Sequence, residues 1–170
     1  MILSIGDKIN YPHHGPCLVG AVVNKLVGGM SAPFYRLAPL EESGGELFIP
    51  VDKIRTLGLR QLMQRSEIPK LLNRLSQKTK KTTAPTAARN WKQRAIDNAK
   101  LLASGSAFDL AELVESLTEL NETKALAPQD RQALERAKKM LVCEIAEVLG
   151  ETRSVAEEQV ERALQAHKAG

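Results

Sequence analysis

The sequence predicts an α+β protein in which a small SH3-like antiparallel β-barrel precedes a compact all-α bundle of about five helices. Three observations predict it. In the first sixty positions, short apolar runs at residues 2–5, 17–23, 34–37 and 47–51 are separated by turn residues at regular intervals. From Ser66 onward the apolar residues recur instead at i, i+3, i+4 and i+7, punctuated by capping residues and glycine stops. The charge follows the same division, because the net +4 is the balance of a basic band between a nearly neutral and an acidic segment.

In the amino-terminal part, Gly6-Asp7, Pro12, Gly15-Pro16, Gly28-Gly29, Pro39 and Gly44-Gly45 interrupt the apolar runs, with no helical period between them. A meander this short, with Tyr11, Phe34, Tyr35 and Phe48 as its aromatics, closes most easily as a small barrel. Such a barrel has a core but no room for a buried active site. Tyr11-Pro12-His13-His14-Gly15 is read as a structural turn. Adjacent histidines on an extended chain point to opposite faces, and Cys17 alone does not complete a metal-ligand set.

The helical part begins with Ser66 as a cap for a helix burying Ile68, Leu71, Leu72 and Leu75, with Pro69 in the first turn. Residues 77–86 have no apolar period and the composition of a mobile loop. A second helix is expected from about Ala88 to the stop at Ser104-Gly105. A third is capped by Ser106 and buries Leu110, Leu113, Val114, Leu117 and Leu120. The fourth starts at Pro128, buries Leu134, Ala137, Leu141, Ile145, Val148 and Leu149, and ends at Gly150. The fifth follows a capping box at Ser154 to Glu157 and uses Val160, Ala163 and Leu164. Two domains result, residues 1–64 and residues 65–170.

Residues 61–100 carry ten cations against Glu67 and Asp97, and within them Arg89, Lys92 and Arg94 surround Trp91, the only tryptophan. A flat apolar ring among cations suits insertion into, or stacking on, a nucleic acid whose phosphates the cations engage. The competing reading stays open at this stage. Ala88, Trp91, Ala95, Ala99 and Leu102 recur at helical intervals, so Trp91 also fits a core stripe. The two cysteines, far apart in sequence, read as reduced buried thiols, and the chain has no apolar run long enough to cross a bilayer. A glycine-rich phosphate loop, HExxH and GxSxG are all missing, and the acids of residues 101–170 fall mostly at solvent-facing helical positions. The expectation is a binding protein rather than an enzyme, with no metal or other cofactor.

Several short motifs in order resemble the CarD/CdnL transcription regulators. They are Ile5-Gly6-Asp7, the turn from Tyr11 to Gly15, Ile49-Pro50-Val51-Asp52-Lys53, and Leu57-Gly58-Leu59-Arg60. In the second half they are Asn90-Trp91 with Arg94, Leu102-Ala103-Ser104-Gly105, and the run from Glu135 to Glu144. The amino-terminal module is one the family shares with transcription-repair coupling factors. The resemblance implies a Tudor-like domain over residues 1–64 that grips the β subunit of bacterial RNA polymerase, with Lys25, Phe48, Ile49 and Pro50 at the contact. It implies a DNA-binding helical domain over residues 65–170 that brings Trp91 as a wedge to the minor groove at the upstream edge of the melted promoter. There Lys92, Arg94 and Arg89 would meet phosphates, with Arg136, Lys138 and Lys139 as a second patch, largely without regard to sequence. Where the family usually follows its tryptophan with two arginines and an aromatic, this chain has Gln93, Arg94 and Ala95, and Lys25 stands where an arginine often sits. The implied protein is a monomeric, cytoplasmic, nucleoid-associated transcription regulator that stabilises the open complex. Two other readings are a polymerase-binding adaptor that makes no DNA contact and a general nucleic-acid binder without a polymerase partner.

Overall fold

The computed structural model describes residues 2–40, 45–77 and 91–169, without the side chains of Trp91 and residues 167–169. The chain divides into two compact units, Met1–Leu62 and Met63–Gly170. Among the described residues, the first holds an antiparallel sheet and the second five helices, so the α+β expectation is met.

The sheet comprises β1 (Lys8–Tyr11), β2 (Gly15–Val27), β3 (Met30–Pro39), β4 (Leu47–Pro50) and β5 (Arg60–Gln61), in the order β4-β3-β2-β1-β5. Burial alternates along β3, where Tyr35 and Leu37 turn inward and Arg36 and Ala38 outward. Those two pack with Ile9, Cys17, Val19 and Ile49 as the centre of the core. Between Val19 and Val22 the β2–β3 register shifts, and a Cβ built at Gly20 would stand 3.3 Å from the Arg36 carbonyl oxygen. Glycine lets the strands approach at that bulge. The tight β1–β2 turn places His13 at φ 71, with the Tyr11 and His14 rings edge to face at 4.8 Å, in keeping with a structural turn.

The apolar run at residues 2–5, expected as a strand, is not one. Gly6, at φ 93, turns the chain back, and the Ser4 N–H donates to Asp7 Oδ2 at 2.8 Å while the Asp7 N–H donates to the Ser4 carbonyl. Backbone groups committed to that local turn are not available for a ladder. Only Leu3 of the run is buried, while Ile2 and Ile5 are exposed.

The helices are α1 (Ile68–Ser76), α2 (Trp91–Ala103), α3 (Ala107–Thr123), α4 (Pro128–Leu149) and α5 (Arg153–Ala169). Ile68, Leu71 and Leu75 of α1 enter a core with Leu110, Leu113, Val114 and Leu117 of α3, Ala137, Leu141 and Ile145 of α4, and Val160 and Leu164 of α5. Two expected caps are displaced. Ahead of α1 the reciprocal box is Gln64 with Glu67, around a 3-10 turn, and Ser66 lies inside it. Ahead of α5, Thr152 Oγ1 accepts from the Val155 N–H at 3.2 Å, two positions before the expected Ser154. The cap at Ser106 is where the sequence places it, accepting from the Asp109 N–H at 3.4 Å. Gly150 ends α4 at φ 68. The expected basic loop from Lys78 to Thr86 and the helix start at Ala88 lie outside the described residues.

Candidate functional site

Lys25 and Phe48 come together on the surface of the sheet unit. β2 continues past the end of its pairing with the β3 residues that hold β4, so Lys25, Leu26 and Val27 pair with Ala32, Ser31 and Met30 in a two-stranded ribbon. Gly28 and Gly29 turn the ribbon, and Leu26 and Met30 near its tip are exposed. At its base the Lys25 Nζ lies 3.3 Å from the centroid of the Phe48 ring. A cation over an aromatic face at an exposed site contributes about 0.5–1 kcal/mol. Beside them Arg36, opposite Phe48 across the ladder, pairs with Glu46. Of the other residues expected at this contact, Pro50 is half-buried and precedes a 3-10 turn, whereas Ile49 is 2% exposed and belongs to the core, opposite Tyr35. Alternation along β4 puts Phe48 and Ile49 on opposite faces, so Ile49 supports the surface from beneath.

In the helical unit, Lys92 is exposed in the first turn of α2. Arg94 is not turned out: its Nη2 lies 3.3 Å from Asp130 Oδ2, and its side chain is 14% exposed. One turn further, Asn98 Nδ2 donates to the other carboxylate oxygen at 3.4 Å. On α4, Arg136 and Lys139 are exposed three residues apart, on one face. Lys138 points elsewhere, its Nζ donating to Glu161 Oε1 of α5 at 2.8 Å. The expected second patch therefore splits into an exposed pair and an inter-helix ion pair. Arg89 and the Trp91 side chain lie outside what is described.

Buried acids went unnoticed in the sequence. Asp130, Glu115 and Glu144 are all buried, against the expectation of solvent-facing positions. For Glu144 a signal existed, since it sits four residues from Met140 and from Val148 within the apolar face of α4. Asp130 reads in sequence as an ordinary acid in a helix's first turn, and nothing local points to a partner 36 residues earlier. Among the described residues no group of three or more His, Cys, Asp or Glu is placed to hold a metal ion, and no helix is long and apolar enough to cross a membrane.

Residues 3–63 match the CarD-like/TRCF RID domain, and residues 70–162 match the CarD C-terminal domain. The chain belongs to the CarD family. Its RID match coincides with the sheet unit, and its CarD C-terminal match encloses α2 through most of α5. The chain is also 24% identical over 151 residues to the protein named "Putative transcription factor YdeB" of Bacillus subtilis (strain 168), an alignment covering 89% of this chain and 95% of that one. Both matched CarD domains and this relative are of transcription-factor type, and the role of the chain is transcription-related.

Proposed function

We propose that the chain is a bacterial transcription regulator with two working surfaces: the sheet unit holds the β subunit of RNA polymerase, and the helical unit meets promoter DNA at the upstream edge of the bubble. The observation that carries this reading is the order of the two CarD-type domains, the second of which encloses the start of α2 within the +8 band. Lys25 and Phe48 form the polymerase-facing pair, with Pro50 at its margin and Ile49 as its buried support. Lys92, Arg89, Arg136 and Lys139 draw the DNA in through its phosphates. Trp91 enters the minor groove between base steps. Unstacking a step costs a few kcal/mol, and a ring that fills the gap offsets that cost and disfavours re-annealing. The contact needs no base reading and no cofactor. The protein acts as a monomer at the nucleoid, in the cytoplasm, where its partners are.

The adaptor reading, polymerase binding without DNA contact, draws on one observation: Arg94 is engaged by Asp130 and Lys138 by Glu161, which thins the cationic surface. The variant Trp91→Ala separates the two. On the wedge reading it melts within a few degrees of wild type, still captures polymerase, and shortens the lifetime of the open promoter complex. A ring buried as core would instead cost about 3–5 kcal/mol of stability on truncation. Unchanged melting together with an unchanged open-complex lifetime would remove Trp91 from the mechanism and leave the adaptor.

A further inference from the structure

Among the described side chains, the first turns of α2 are held in place by polar contacts rather than by apolar packing. The leucines that α2 sends to the core, Leu101 and Leu102, lie at its carboxy-terminal end and are only partly buried. Toward the amino-terminal end, Ile96 is 51% exposed. Among the described residues, this end is joined to the rest of the unit by Arg94 and Asn98, four residues apart and so on one helix face, which share the two oxygens of a single carboxylate, Asp130. Asp130 is 7% exposed and Asn98 9%. A carboxylate removed from water this far is tolerable only when its oxygens are hydrogen-bonded, and its place in the first turn of α4 adds the favourable end of that helix's dipole. The Arg94 Nε is buried and finds no partner among the described residues, so the guanidinium is embedded in the clamp and not directed to solvent.

Trp91 stands one turn before Arg94. We propose that Asp130 is a positioning residue for the DNA contact, clamping α2 through Arg94 and Asn98 so that the turn bearing Trp91 is presented in one orientation, and that Arg94 serves DNA binding through Asp130 rather than by meeting phosphate. This rests on the DNA reading above. Ordering a loose turn at the moment of binding weakens affinity, and a clamp made beforehand removes that penalty.

The test uses the full chain and a short mixed-sequence DNA duplex, titrated at several salt concentrations well below the melting temperature of every variant. Arg94→Ala and Asp130→Ala each weaken binding by about tenfold, and the double variant is no weaker than either, because both remove one coupled unit. The slope of log affinity against log salt stays at the wild-type value in all three. Asp130→Asn, which keeps one acceptor oxygen but sets an amide NH2 against the second donor, recovers only part of the loss. The proposal is overturned if Arg94→Ala lowers the slope by about 0.9, the value for one phosphate contact, while Asp130→Ala leaves affinity unchanged or raises it. Should the wild-type chain show no affinity for duplex, the DNA reading fails by itself, and the emission of Trp91 decides the clamp. A shifted or depolarised emission in Asp130→Ala supports the positioning role, and an unaltered one removes it.

Discussion

Glu144 is fully buried on α4, and its Oε2 accepts a hydrogen bond from the Met63 N–H at 2.7 Å, across 81 residues of chain. Met63 is the first residue of the helical unit and part of its core, so this carboxylate fixes the point at which the chain enters that unit. Leaving a buried N–H without an acceptor costs about 1–3 kcal/mol. Glu144→Ala therefore lowers the unfolding free energy by at least that amount in a urea titration, whereas Glu144→Gln, which keeps an amide oxygen, loses less. Equal losses in the two variants would mean that the hydrogen bond to Met63 does not decide the role of Glu144. Arg94 and Lys138 make a related point. Both are cations that a charge count assigns to DNA, and both are held by acids of their own unit.

Among the elements, α4 is the axis of the helical unit: it packs on α3 along its buried face, receives α2 at Asp130, and pairs with α5 through Lys138 and Glu161. Its end depends on Gly150, at φ 68, where a Cβ would meet nothing within 4 Å. Any cost of a side chain there is one of backbone conformation alone, since the left-handed region disfavours residues with a Cβ by about 1–2 kcal/mol. Gly150→Ala should lower stability by about 1 kcal/mol, read as a fall in the urea midpoint with an unchanged slope. No change in midpoint would mean that the α4–α5 junction relaxes to another turn. In the sheet unit the corresponding device is the long β2, whose bulge at Gly20 lets one strand serve both the core and the exposed ribbon that carries Lys25.

At the scale of the whole molecule the charge is laid out in bands: residues 1–60 carry six cations and five acids, residues 61–100 ten and two, and residues 101–170 eight and thirteen. Positive charge is thus concentrated where the CarD C-terminal match begins. On the proposed DNA reading, with Arg94 and Lys138 engaged internally, the number of phosphates neutralised is expected to be small, about three to five. Affinity for duplex should then fall with salt at a slope near −0.9 per phosphate, with little dependence on sequence. Titration of the full chain on two unrelated duplexes checks both features. A salt-independent affinity would rule out the phosphate contacts, and a strong sequence preference would rule out a wedge that reads no bases.

How much of this was legible in the sequence depended on distance along the chain. The α+β order, the helix stripes, the Ser106 cap and the Gly150 stop follow from periodicity and backbone preference, which act over a turn or a strand, and these the sequence determined by itself. The motifs from Ile5 to Arg60 and from Asn90 to Glu144 likewise carried the family. Local preference already failed at residues 2–5, where an apolar run reads as a strand but the Gly6 turn takes its hydrogen-bonding groups. It failed at the caps as well, because Gln64 and Thr152 compete with Ser66 and Ser154 two positions away. Only the tertiary structure decided which face each polar side chain would meet. Ile49 went to the core while Phe48 met Lys25, Glu144 went inward to Met63, and Asp130 drew in Arg94 and Asn98 from another helix. A buried charge is tolerated only where the fold supplies partners, and those partners lie tens of residues away, beyond the reach of any pattern read along the chain.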